Sequence, residues 1–222
     1  DCLHDVVDLA AQMMGVPEAE EEQFDVEDGE IRYRPDPSLR VPFQEVAAKM
    51  DGYTLVGDGA RGPNPEGLAV NTFGAQFAEV EVNVETGQVR IHKLIAVHEV
   101  GRVINPLTAT NQVYGGMIQG LGFAAMEARV IDGGTGLQLT ANLEGYKIPT
   151  MMDVPPLEVA FVDRADPEAN SIGAKGLGEP PIIPTPAAIA NAVADAIGIR
   201  ITELPITPQR ILDALRSAQQ EG

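Results

Sequence analysis

Residues 78–97 read AEVEVNVETGQVRIHKLIAV. Ala78, Val80, Val82 and Val84 alternate with Glu79, Glu81 and Asn83, the period of a strand that buries one face and wets the other. Glu85-Thr86-Gly87-Gln88 is a turn signal, and Val89 to Val97 resumes an apolar, β-branched run, so the stretch predicts an antiparallel hairpin. Helical spacing follows it. Apolar residues recur every three or four positions over 107–130. A strand is expected over 157–162. Thr185 as N-cap with Pro186 at the first helical position starts a helix that Gly198 ends, and Thr207-Pro208 repeats the signal for a last helix through Arg216. Strands and helices mix without a regular βαβ alternation, which makes the fold class α+β.

Toward the amino terminus, Leu3, Val6, Val7, Ala10, Met13 and Met14 lie at helical spacing and Gly15 follows as a stop, so residues 3–14 read as an amphipathic helix with its methionines in a core. Phe24 and Val26 alternate toward an Asp28-Gly29 turn, and Ile31 and Tyr33 away from it, predicting a second hairpin with an acidic rim. Pro35, Pro37 and Pro42 punctuate the chain before a short helix over 43–50. The glycine- and proline-rich stretch 60–67 reads as a boundary, dividing a leading region 1–60 from a second region 61–222.

With 222 residues, 44% of them hydrophobic, the chain is long enough to bury a substantial core. The 33 acidic against 15 basic residues give a net charge of −18, which repels nucleic acid and anionic membrane surfaces as partners. Cys2 is the single cysteine, so the chain has no internal disulfide, iron–sulfur cluster or thiolate zinc site of its own. No apolar run of about 18 residues is present and no basic-then-apolar leader opens the chain, so a soluble protein is expected, cytoplasmic or periplasmic. The opening Asp1-Cys2-Leu3 lacks a methionine, as a fragment or processed piece would.

Two features ask for a special reason. Four glycines, Gly115, Gly116, Gly120 and Gly122, interrupt the 107–130 helix, each at a cost of about 1 kcal/mol relative to alanine, so another backbone or a ligand should approach there. The second is Gly173-Ala174-Lys175-Gly176-Leu177-Gly178-Glu179-Pro180-Pro181, in which glycine spacing lets successive N–H groups turn toward one anionic, oxygen-rich ligand while Lys175 adds charge. On spacing alone the alternative is a flexible surface turn before a helix. The loop is neither a Walker loop nor a dinucleotide fingerprint. His4, His92 and His98 lie too far apart to suggest a protein-ligated metal, and no Gly-x-Ser-x-Gly elbow is present.

Six ordered blocks carry a resemblance. They are Phe73 to Val80, His98 to Pro106, Gln112 to Gly122, Tyr146 to Pro149, Lys175 to Glu179 and Leu204 to Pro208. Together they resemble the C-terminal part of the molybdopterin-binding catalytic subunit of the xanthine dehydrogenase and aldehyde oxidase family. The resemblance implies half of a molybdenum-cofactor-binding domain, with Glu179 beside the molybdenum as general base in an oxidative hydroxylation that uses water. It implies that Gln112 contacts the pterin and that Lys175, Gly176, Leu177 and Gly178 lie beside it, with no metal ligand from the protein. Against the pterin role of Gln112 stands a capping or solvent-facing amide.

The resemblance further implies a molybdopterin cofactor, in the cytosine dinucleotide form, bound only together with segments this chain lacks. A 2Fe-2S iron–sulfur subunit, a flavin (FAD) subunit and the remainder of the catalytic subunit would be partners, with an aldehyde or N-heterocycle as the small-molecule substrate. Glu99 departs from the family's aspartate after the histidine. Alone, the chain is expected to be inactive. The alternative is a non-catalytic α+β binding or assembly module that retains the scaffold.

Overall fold

The computed structural model describes residues 2–50, 52, 56, 62–64 and 66–221. It divides into two compact units, Asp1–Pro63 and Asn64–Gly222. Of the stretch 60–67 expected to mark a boundary, residues 60, 61 and 65 lie outside the described residues.

The leading unit contains α1 (Cys2–Met14), β1 (Phe24–Glu27), β2 (Glu30–Tyr33), β3 (Arg40–Pro42) and α2 (Phe43–Lys49), with the strands in an antiparallel meander. Asp28 (φ 51°) and Gly29 (φ 77°) both take positive φ between β1 and β2, the demand a two-residue hairpin makes and the reason an Asp-Gly pair stands there. Val6, Val7, Ala10 and Ala11 on the inner stripe of α1 are buried with Phe24, Ile31, Val41 and Val46. The strand period of 2 and the helix period of 3.6 thus meet in one apolar cluster.

The second unit is built from β4 (Phe73–Val82), β5 (Val89–Glu99), α3 (Pro106–Ala125), β6 (Leu157–Phe161), α4 (Pro184–Ile197) and α5 (Pro208–Glu221). The sheet order is β4-β5-β6, antiparallel between β4 and β5 and parallel between β5 and β6. Alternation along β4 half-buries Gly74, Gln76, Ala78, Val80 and Val82 and exposes the residues between them. The core joins Leu94 and Ala96 of β5 to Val113, Met117 and Leu121 of α3, Ile189 and Val193 of α4, and Ile211 of α5.

The structure corrects three local expectations. Strand β4 stops at Val82, because the Asn83 side chain accepts from the amides of Glu85 and Thr86 and turns the chain early, leaving Val84 exposed. The 107–130 helix ends at Ala125, where the Gly122 carbonyl takes both the Met126 and Glu127 amides, so residues 126–130 are not helical. Thr185 is not the N-cap of α4. That helix begins at Pro184 after Ile183, and Thr185 is a buried helical residue whose hydroxyl donates to Gln76 Oε1. The Thr207-Pro208 start holds, with Thr207 Oγ1 accepting from the Arg210 amide, and α5 continues past Arg216 to Glu221.

The glycines of α3 divide by what they face. A Cβ on Gly116 would stand 2.6 Å from Pro181 Cβ, and one on Gly120 would stand 2.5 Å from Thr185 Cβ. A neighbouring segment of this chain, rather than a ligand, therefore occupies the space at both positions. Gly122 faces the Glu127 carboxylate and Pro149, while Gly115 opens onto free space.

Candidate active site

The loop 173–181 leads from β6 toward α4, and its beginning is sewn to the end of β5. Gly101 bridges Ala174 in antiparallel fashion, the Lys175 amide donates to Val100 O at 2.8 Å and the Arg102 amide to Gly173 O at 2.8 Å. Gly101 sits at φ 67°, and a Cβ there would approach Gly173 O to 2.1 Å, so both its conformation and its lack of side chain are required. Lys175 Nζ then reaches back to Glu99 Oε2 at 2.7 Å and Asp166 Oδ2 at 3.0 Å, with the Lys175 side chain only 11% exposed. The other Glu99 oxygen accepts from the Gly101 amide at 2.9 Å. A glutamate at this position thus bridges lysine and backbone. The hydrogen bond from Lys175 holds Asp166 below its ordinary carboxyl range, and the one to Glu99 raises Lys175 above its ordinary value.

Farther along, three carbonyls of the loop are each held by a side chain from a different place. Thr72 Oγ1 donates to Gly176 O at 2.6 Å, Gln112 Nε2 of α3 to Gly178 O at 2.6 Å, and Gln76 Nε2 of β4 to Pro181 O at 2.7 Å. Glu179 lies between the last two clamps. Its side chain is exposed and makes no hydrogen bond or ion pair among the described residues, while its carbonyl accepts from the Ile182 amide at 3.0 Å. Behind β4, His98 is fully buried, and desolvation lowers its pKa.

Beside the loop runs a groove of about 490 Å³, lined by Arg102, Asn105 and Thr108 on one side and Lys175, Leu177 and Gly178 on the other, with Gln112 at its edge. A cleft of about 550 Å³ beside His92 shares no lining residue with this groove. The groove offers the exposed Arg102 guanidinium, which has no ion-pair partner among the described residues, and the Asn105-capped start of α3. Gly176 and Gly178 face open space. This donor set suits an anionic, oxygen-rich ligand. Among the described residues no three His, Cys, Asp or Glu side chains converge to hold a metal ion.

Residues 2–155 match the family model of the molybdopterin cofactor-binding domain. This chain belongs to that family. The match includes Gln112 and stops short of the 173–181 loop. A putative xanthine dehydrogenase molybdenum-binding subunit of Escherichia coli is 44% identical over 146 residues, covering 66% of this chain and 19% of that protein. An aldehyde oxidoreductase molybdenum-binding subunit of the same organism is 43% identical over 145 residues, covering 65% and 20%. The crystal structure of quinoline 2-oxidoreductase from Pseudomonas putida 86 superposes with a TM-score of 0.76 at 30% identity, covering 96% of this chain and 28% of that one. The chain thus spans about a fifth of the curated relatives it matches. The α+β class and the family resemblance read from the sequence are both borne out.

For this molybdopterin cofactor-binding domain, the residues singled out from the sequence fall together around one loop. Gln112 is tied to Gly178 and so adjoins Glu179 through a single peptide bond. The Lys175 charge is engaged by Glu99 and Asp166 and anchors the loop. Sequence reading passed over Gln76, Thr72 and Asp166 as site residues. Gln76 left one signal, a polar side chain at a core-facing position in an otherwise apolar alternation with Ala78, Val80 and Val82.

Proposed function

We propose that this chain is the C-terminal portion of a molybdenum hydroxylase catalytic subunit, and that Glu179 is its general base. The supporting observation is the state of Glu179: an exposed carboxylate without a partner among the described residues, on a peptide whose neighbouring carbonyls, Gly178 and Pro181, are both clamped. A general base must be reachable by its substrate and carried on a positioned backbone, and this arrangement provides both.

The groove beside Glu179 fits a pterin cofactor. Arg102, the start of α3 and the glycine amides of the loop suit its phosphate groups, in the cytosine dinucleotide form that the resemblance implies. Gln112, Lys175, Leu177 and Gly178, which line the groove, would contact its near side, with Gly176 in the same loop. When bound, that cofactor supplies the two-electron oxidation that accompanies hydroxylation by water. Glu179 accepts a proton at its carboxylate, and Gln112 and Gln76 keep the carboxylate aimed.

The substrate is an aldehyde or an N-heterocycle, a class supported by the names of the similar xanthine, aldehyde and quinoline enzymes. The remainder of the catalytic subunit supplies the other cofactor contacts, and a 2Fe-2S subunit, with or without a flavin subunit, carries the electrons away.

The test is Glu179→Gln in the complete enzyme, compared at equal molybdenum content with Glu144→Gln, an exposed glutamate outside the loop. Glutamine keeps the shape but cannot take the proton, so turnover should fall about 10²- to 10⁴-fold. Equal activity of the two variants would leave a non-catalytic module as the reading.

A further inference from the structure

Gln76 faces inward from β4, where a polar side chain must find partners to offset its desolvation. It finds three. Its Oε1 accepts from the Thr185 hydroxyl, its Nε2 donates to Pro181 O at 2.7 Å, and the same nitrogen lies 3.4 Å from His98 Nε2. A carbonyl can only accept, so Pro181 settles which end of the amide is nitrogen. The second N–H of that nitrogen then points to His98 Nε2, which must be the unprotonated, accepting nitrogen. The buried Nδ1 carries the proton and has no partner among the described residues. Burial, which disfavours charge on His98, agrees with this neutral tautomer.

The surroundings keep the amide in place. A Cβ on Gly74 would come within 2.2 Å of His98 Nδ1, so glycine at 74 is what admits the histidine ring against β4. On the far side, the absent side chain of Gly116 lets Pro181 settle onto α3. Pro181 is therefore held at its carbonyl by Gln76 and at its ring by α3, two residues beyond Glu179.

We propose that Gln76 is a positioning residue for Glu179. Its amide, oriented by His98 and Thr185, fixes Pro181 O while Gln112 fixes Gly178 O, and the two bonds together confine the peptide 178–181 to the conformation that aims the carboxylate. The proposal rests on Glu179 being the base, and the experiment separates the two ideas.

Gln76→Met keeps the length of the side chain and removes its donors and acceptor. In the complete, molybdenum-matched enzyme it should lower kcat on the order of 10- to 100-fold and leave KM within about twofold, because a misaimed base costs rate rather than binding. Introduced into Glu179→Gln, it should add no further loss, since displacing a base already disabled changes little. Independently of activity, the Ile182 amide, which donates to Glu179 O, should exchange its hydrogen faster in Gln76→Met than in the parent. Thr185→Val should move kcat and exchange in the same direction, Thr185→Ser should restore both, and this pair carries the test if Gln76→Met does not fold. A normal kcat with unchanged Ile182 exchange overturns the proposal. So does a loss that multiplies with that of Glu179→Gln, which would mark Gln76 as structural only while leaving Glu179 the base. If Glu179→Gln itself is fully active, the proposal and the reading beneath it fall together.

Discussion

Gln112 donates its amide to the carbonyl of Gly178 at 2.6 Å, although 66 residues separate the two. Gly178 immediately precedes Glu179, so a side chain on α3 sets the backbone direction from which the carboxylate departs. A role for Gln112 at a cofactor and a role in holding this loop are compatible, because the bond uses one N–H and leaves the other N–H and Oε1 free.

Replacing Gln112 with leucine should loosen the loop. Turnover per molybdenum is expected to fall on the order of tenfold, with reduced molybdenum content in the purified complete enzyme. A solvent-facing amide with no such duty would change stability by no more than about 0.5 kcal/mol and leave activity alone. Metal analysis beside steady-state kinetics distinguishes the two.

Two glycines on the same helix should respond with opposite signs. Gly115→Ala meets nothing within 4 Å and should stabilise the fold by up to about 1 kcal/mol through helix propensity. Gly120→Ala gains the same propensity but drives its Cβ to 2.5 Å from Thr185 Cβ, and overpacking of about 1–3 kcal/mol outweighs the gain. Urea unfolding of the two variants reads the difference directly. Stabilisation by both would mean that α3 and α4 are not in close contact at Gly120.

The Lys175 ion pairs predict a pH dependence. Asp166 is held below its ordinary 3.8, so its stabilising contribution is present at higher pH and is lost as pH falls through the depressed folded value. Lys175 is raised above its ordinary 10.5, so its contribution is complete below that pH and is lost as pH climbs through the raised value. Lys175→Met leaves two carboxylates facing each other and should melt lower than the parent by an amount constant across neutral pH. The difference should shrink below pH 3.8 as Asp166 takes up its proton. Melting curves by circular dichroism check this, and a difference independent of pH through the acid range contradicts it.

Purified by itself, the chain should retain molybdenum well below one atom per molecule, because on the proposed reading the remainder of the catalytic subunit supplies the other cofactor contacts. Metal analysis showing stoichiometric molybdenum would mean that these residues suffice.

The sequence by itself determined the elements whose signals are local. The 78–97 hairpin, the Asp28-Gly29 turn, the inner stripe of α1 and the Thr207-Pro208 start all depend on neighbours two to four residues apart, and the structure carries each of them. Glu179 was singled out on other grounds, because its glycine loop occurs within an ordered set of blocks. Tertiary structure alone decided what those residues touch. Lys175 turned out to pair with two acids, one of them 76 residues away, and the glycines of α3 make room for Pro181 and Thr185. Thr185 carries a helix-start signal, yet it gives its hydroxyl to Gln76, 109 residues distant. A periodic pattern records which face of an element is apolar. It does not record which residue of another element will lie against that face, and the donors and acceptors that hold the 173–181 loop are matched only when β4, α3 and the loop close on one another.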